Sequence, residues 1–131
     1  MTRILVVDDS DVVRRGMGLL LRQHEGWEVC GEAVDGQEAV VKAHQLAPDV
    51  VVLDFAMPVM NGIEAARQIR KERPNTTLVL CSMDLDNQLA AVARAAGITS
   101  VLSKINIDQV IKGVEAGLRG ESFTELKSYC G

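Results

Sequence analysis

Five short apolar runs, separated by longer stretches of helical periodicity, leave this chain very few architectures. The runs are RILVVD (3–8), WEVCGEA (27–33), VVVLD (50–54), TLVLCS (77–82) and SVLS (100–103). Between them apolar residues recur at three- and four-residue spacing. The stripes are Val13, Met17, Leu20 and Leu21; Ala39, Val40, Ala43 and Leu46; Ile63, Ala66 and Ile69; Leu85, Leu89, Val92 and Ala96; and Ile107, Val110, Ile111, Val114 and Leu118. Strand–helix alternation of this kind implies an α/β fold, a parallel sheet with helices on both faces. Runs nearly continuous in Val and Leu suit strands buried on both sides. A leucine-rich solenoid has a similar period, but its L-x-x-L-x-L signature is absent.

The 131 residues suffice for one domain with a proper core. With 47% hydrophobic but only 3% aromatic residues, that core must be built from Val, Leu, Ile, Ala and Met. The net charge of −4, with acids and bases mixed along the chain, argues against direct contact with nucleic acid or an anionic membrane. No apolar run approaches about 20 residues and no charged-then-apolar leader is present, so a soluble protein without a secretory signal is expected. Cys30, Cys81 and Cys130 are widely spaced, and neither His24 nor His44 lies near a cysteine, which disfavours zinc and a disulfide framework. Cys30 and Cys81 read as core residues, and a reducing cytoplasm fits.

Helix starts are marked by Asp35 with Glu38 and Asn61 with Glu64, an oxygen acceptor three residues before an acid. Asp9 and Ser10 are candidate caps too. Gly97 and Gly120 suit helix exits. The segment GESFTELKSYCG (120–131) loses periodicity, so 121–131 reads as a tail or the start of a linker after a domain spanning 1–120.

The polar residues that end strands carry the chemistry. Asp8 and Asp9 end the first, Asp54 the third, Ser82 the fourth and Lys104 the fifth, whereas Glu32 and Ala33 at the second belong to no such group. Open parallel sheets bind ligands beyond the carboxyl ends of their strands, where the winding reverses. With a strand order of 2-1-3-4-5, the first and third strands would be neighbours, roughly 4.8 Å apart. Three carboxylates would then meet in one shallow pocket, with a hydroxyl and an ammonium on its far side. Two unit charges ~4 Å apart repel by about 4 kcal/mol at an effective dielectric near 20, so such a group needs a cation. Oxygen-only donors without histidine point to Mg²⁺. A divalent site with a nucleophilic carboxylate and an anion-holding lysine suits phosphoryl transfer onto an aspartate.

ILVVDDS (4–10), VVVLDFAMPVMNGIEAARQIR (50–70), Ser82 and Lys104 together resemble the receiver domain of two-component response regulators, from about residue 3 to residue 119. The resemblance implies a flavodoxin-like three-layer sandwich with a five-stranded sheet in the order 2-1-3-4-5. It further implies that Asp54 is the phosphoacceptor, that Asp9 ligates Mg²⁺ directly and Asp8 largely through water, and that the backbone carbonyl of Ala56 completes the protein's share of the metal shell. Ser82 resembles the switch hydroxyl, and Lys104 the lysine that pairs with Asp54 before phosphorylation and with the phosphoryl group after it. The implied partners are a histidine kinase or phosphotransfer protein, and a second copy in a phosphorylation-dependent homodimer. GWEVCGEAVDGQEAV (26–40) and the MPVMNG loop (57–62) are most similar to receivers attached to helix-turn-helix output domains. Such a protein is a phosphoacceptor switch rather than a conventional enzyme.

Three positions depart from the family pattern. Val101 stands where Tyr or Phe is usual, Ile105 where Pro often follows the lysine, and Met83 where a small residue follows the switch hydroxyl. They keep open a degenerate receiver that acts as a phosphorylation-independent interaction module. A small Mg²⁺-dependent phosphatase would want an acid where Ala56 stands. A flavodoxin-like cofactor binder would want a Ser/Thr/Gly-rich loop after the first strand, where DDSDVV is acidic, and ring-stacking aromatics, of which only one Trp and one Tyr are available.

Overall fold

A computed structural model of the chain describes residues 1–124. Its elements alternate as the periodicity predicts: β1 (Thr2–Val7), α1 (Asp11–Arg22), β2 (Trp27–Ala33), α2 (Gly36–Leu46), β3 (Val50–Asp54), α3 (Gly62–Glu72), β4 (Thr77–Ser82), α4 (Asn87–Ala95), β5 (Ser100–Ser103), a 3-10 turn (Lys104–Gln109), α5 (Val110–Leu118) and β6 (Phe123–Thr124). Every strand pair is parallel, and the expected order β2-β1-β3-β4-β5 is extended by β6, which lies alongside Ser100 and Val101. A two-residue strand is too short to leave an alternation in sequence. Residues 125–131, with Cys130, lie outside the described part of the chain.

Strand side chains alternate between two cores, as the pleat requires. Leu5, Val7, Val51, Leu53, Leu78, Leu80 and Val101 face α2, α3 and α4, whereas Ile4, Val6, Val50, Val52, Val79, Cys81 and Leu102 face α1 and α5. Strand β3 is buried at all five positions. Burying each of its Val and Leu side chains contributes roughly 1.5–3 kcal/mol, and this central strand anchors both layers. Cys81 is a core residue as expected, but Cys30 is only half-buried, because β2 is an edge strand.

Two helical stripes differ from the sequence reading. Helix α4 buries Ala90 and Ala93, with Ala96 just beyond its end, and leaves Val92 40% exposed. The alanine stripe adjoins the expected one: Leu89 and Leu85 pack partly buried against the same core, Ala96 is buried as expected, and Val92 turns to solvent. In α5, Leu118 is the final residue and lies exposed past the sheet. Ile107 belongs to the 3-10 turn rather than to the helix.

The caps form as the spacing predicts. Asp35 accepts from the Glu38 amide at 2.8 Å and Asn61 from the Glu64 amide at 2.9 Å, each leaving one fewer orphan donor in the first turn. At the start of α1 the cap is Ser10, which accepts from Val13, not Asp9. Gly97 and Gly120 adopt positive φ after α4 and α5. Among the described residues no helix is long and apolar enough to cross a membrane.

Candidate functional site

Strand β1 lies beside β3 in register, Val7 opposite Leu53, so the residue after each pair reaches the same end of the sheet. Asp8 and Asp54 are therefore neighbours. Asp8 is fully buried: its amide donates to the Ala33 carbonyl at 3.1 Å, and its Oδ1 accepts from the Ser10 amide at 2.8 Å. Asp54 is 4% exposed. Asp9 is exposed, and one carboxylate oxygen from each of Asp8, Asp9 and Asp54 lies within 4.8 Å of the others. The three acids converge as expected.

Lys104, at the end of β5, extends its ammonium into this group. Its Nζ is 2.9 Å from Asp8 Oδ2 and 3.3 Å from Asp54 Oδ2. The lysine thus bridges two carboxylates and lies nearer Asp8, where the resemblance implied a partnership with Asp54. Burial and the neighbouring Asp8 charge push the Asp54 carboxyl up from the ordinary 3.8 to about 6, against the opposing pull of Lys104. Burial alone would lower the pKa of Lys104, but its bonds to Asp8 and Asp54 outweigh that and raise it.

Ser82 ends β4 one residue beyond Cys81, which is in register with Asp54. It is buried, and its Oγ accepts from the Asp84 amide at 3.2 Å. Ala56 lies exposed in the β3–α3 loop, two residues beyond Asp54. That loop is tied down by the Phe55 amide on the Cys81 carbonyl (3.0 Å) and the Gly62 amide on the Phe55 carbonyl (2.9 Å). A Cβ at Gly62 would lie 2.2 Å from the Asp54 carbonyl oxygen, so only glycine lets α3 start against the acidic residue's own backbone. Within the loop Val59 holds φ at 70°, a left-handed conformation that β-branched residues rarely adopt.

Sequence reasoning missed Arg14. Its Nη1 donates to the Asp8 carbonyl at 2.8 Å, its Nε to Glu32 Oε1 at 2.8 Å, and it also pairs with Asp11. One guanidinium so fixes the backbone of Asp8 and gives the Glu32 side chain a partner. The Asp11–Arg14 spacing of three on a helix was the available signal. Asp84, whose amide holds Ser82, was missed as well, because backbone donors leave no trace in residue identity.

All the side-chain donors in the pocket are carboxylate oxygens, with a cation already drawn among them, and this set fits Mg²⁺. The arrangement can hold a hard divalent ion, present a carboxylate nucleophile and pair an anion with Lys104. Residues 4–115 match the response regulator receiver domain family. The chain belongs to that family. It is 36% identical over 115 residues to the transcriptional regulatory protein LnrK of Bacillus subtilis, covering 87% of this chain and 52% of LnrK. It is 34% identical over 124 residues to the response regulator protein VraR of Staphylococcus aureus, covering 94% and 59%. A crystal structure of a LuxR-family two-component response regulator from Aurantimonas superposes with a TM-score of 0.89 at 32% identity, covering 94% of this chain and 89% of that one. The receiver thus spans between half and three-fifths of the length of these two curated relatives.

The three departures from the receiver pattern differ in burial. Val101 is fully buried in the core facing α3 and α4. Met83 is 56% and Ile105 60% exposed, and no cis peptide occurs among the described residues.

Proposed function

We propose that Asp54 of this receiver accepts a phosphoryl group from a phosphohistidine on a histidine kinase or phosphotransfer protein. The observation that carries this reading is the meeting of three carboxylates within 4.8 Å with Lys104 bridging two of them. An Asp54 carboxylate oxygen attacks phosphorus in line, the new O–P bond forms as the N–P bond breaks, and the imidazole leaves with the bonding pair. In the metal-free pocket burial and Asp8 hold the Asp54 carboxyl up at about 6, and a cation bound beside it would draw that value down and keep the nucleophile ionised. Mg²⁺ held by Asp8, Asp9, Asp54 and the Ala56 carbonyl would supply positive charge for the transferring oxygens. Lys104 exchanges part of its pairing with Asp54 for the new phosphoryl oxygens. Ser82 donates a hydrogen bond from its hydroxyl to one of them, and in moving towards it pulls on the Asp84 amide that its oxygen accepts from.

Because the acyl phosphate is dianionic where a singly charged carboxylate stood, the pocket demands more positive charge and more hydrogen-bond donors, and the loops carrying Ser82 and Lys104 follow. The partners of this reading are the phosphohistidine donor and either an output module or a second copy that meets the phosphorylated face. Relatives that include a transcriptional regulatory protein support control of transcription through a helix-turn-helix module, in the cytoplasm where kinases of this type deliver phosphoryl groups. Intact mass after treatment with a small acyl phosphate tests the assignment. One phosphoryl group is expected with Mg²⁺, none with EDTA, and none on Asp54→Asn; equal modification of that variant overturns it.

A further inference from the structure

Outside the acidic pocket, an open groove of about 450 Å³ runs between α3 and the start of α4. Phe55, Ile63, Leu89 and Val92 give it an apolar lining. Its rim carries Glu64, Asp84 and Asp86 against the single base Arg67. None of these four charges is in an ion pair among the described residues. Glu64 accepts only from Asn61, Asp86 caps α4 through one oxygen, and the Asp84 carboxylate has no partner there.

We infer that this groove receives a basic amphipathic helix of a partner protein, its apolar side chains on Phe55, Leu89 and Val92 over a floor formed by the buried Ile63, and its lysines or arginines on Glu64, Asp84 and Asp86. The excess of unpaired carboxylates selects a cationic ligand and rejects nucleic acid. A helix fits where an extended peptide does not, because the sheet edges lie at β2 and β6 and offer no main-chain partners between α3 and α4. Two parts of the wall hang directly from the acidic pocket. Phe55 follows Asp54, and the Asp84 amide donates to Ser82 Oγ. Movement of Ser82 towards a phosphoryl oxygen pulls on the Asp84 amide bonded to it and reshapes the rim, so helix affinity and the state of Asp54 are linked in both directions. This second half rests on the phosphoacceptor reading; the docking itself does not.

The test is an amide-resolved NMR titration of the protein with a synthetic helical peptide. The peptide carries leucines at i, i+4 and i+7 flanked by lysines, and its control has glutamate for every lysine. Saturable shifts are expected at Phe55, Ile63, Leu89 and Val92 with the lysine peptide, absent with the control and weakened about tenfold or more by Asp84→Lys, an exposed position that leaves the fold intact. No saturable shift there, equal binding of the control, or indifference to Asp84→Lys overturns the docking. Shifts at the same amides on concentrating the protein alone would assign the groove to self-association and overturn it too. Treatment with acyl phosphate and Mg²⁺ should change the peptide affinity by about three- to tenfold, the equivalent of one hydrogen bond. Unchanged affinity on a protein that has gained a phosphoryl group overturns the coupling. Failure to gain the group overturns the phosphoacceptor reading and the coupling with it, while the first titration still decides the groove.

Discussion

In metal-free protein, Asp54→Asn should abolish a pH dependence of stability that the native residue imposes. The folded state holds the Asp54 proton up to a pKa of about 6, whereas the unfolded chain releases it near 3.8. Between those values the folded state binds more protons, so Asp54 stabilises the fold below the unfolded pKa and loses that contribution as pH rises through the folded one. The full difference is about 3 kcal/mol at 1.36 kcal/mol per pH unit, of which about 2 kcal/mol falls between roughly pH 4.5 and 7.5. Asn keeps the shape and a polar contact for Lys104 but has no proton to lose. Urea denaturation in EDTA provides the assay, followed by the fluorescence of Trp27, the one tryptophan, which is buried at the start of β2. Every other titrating group is common to the two proteins and cancels to first order. The variant's advantage should therefore grow by about 2 kcal/mol from the acid to the neutral end of the window. Two curves that stay parallel across it would refute the argument, and so would an advantage that shrinks.

Mg²⁺ should raise the melting temperature by binding only the folded state, and Asp9→Asn should diminish that rise; an unchanged response would remove Asp9 from the metal site. Val59→Asn, which relaxes a β-branched residue held at φ 70°, should stabilise the protein by about 1 kcal/mol in chemical denaturation, and any loss would contradict the strain. Gly62→Ala should destabilise by about 2 kcal/mol or more, because the added carbon meets the Asp54 carbonyl at 2.2 Å. Gly16→Ala, inside α1 with nothing within 4 Å of the new Cβ, should instead stabilise by roughly 0.5–1 kcal/mol. Similar denaturation midpoints for the two glycine variants would show that close approach at Gly62 is not what fixes its identity.

The five buried strands and the strand-ending charges of Asp8, Asp9 and Asp54 were legible in the sequence as strong local marks, whereas the strand order that makes those acids meet came only through the family resemblance, because order is set by long-range pairing. The phase of α4 was not legible either. Periodicity locates a helix, but when Leu89 and Val92 compete with Ala90 and Ala93 for the sheet, spacing between layers decides, and that is a property of the whole fold. The two-residue β6 carries too little pattern to be seen. Arg14 is illegible because its most informative partner is the Asp8 backbone, and the pairing of Lys104 with Asp54 is present at 3.3 Å, joined by one with Asp8 at 2.9 Å that depends on how close the ends of β1 and β5 lie.

The alanine face of α4 has a dynamic consequence. Helix α3 fully buries Ile63 and Ile69 besides Ala65 and Ala66, whereas α4 fully buries only Ala90 and Ala93 and adds the half-buried Leu89. At roughly 0.8 kcal/mol per buried methylene, the two isoleucines give α3 several kcal/mol of anchorage that α4 lacks. Local opening should therefore detach α4 at a free energy well below that of global unfolding, and its amide protons should exchange with solvent earlier than those of α3. The strand that feeds α4 ends in Ser82, whose hydrogen bond to Asp84 contributes about 1 kcal/mol net. For a well-anchored helix that quantity would be negligible. For this one it is a sizeable share of what holds it down.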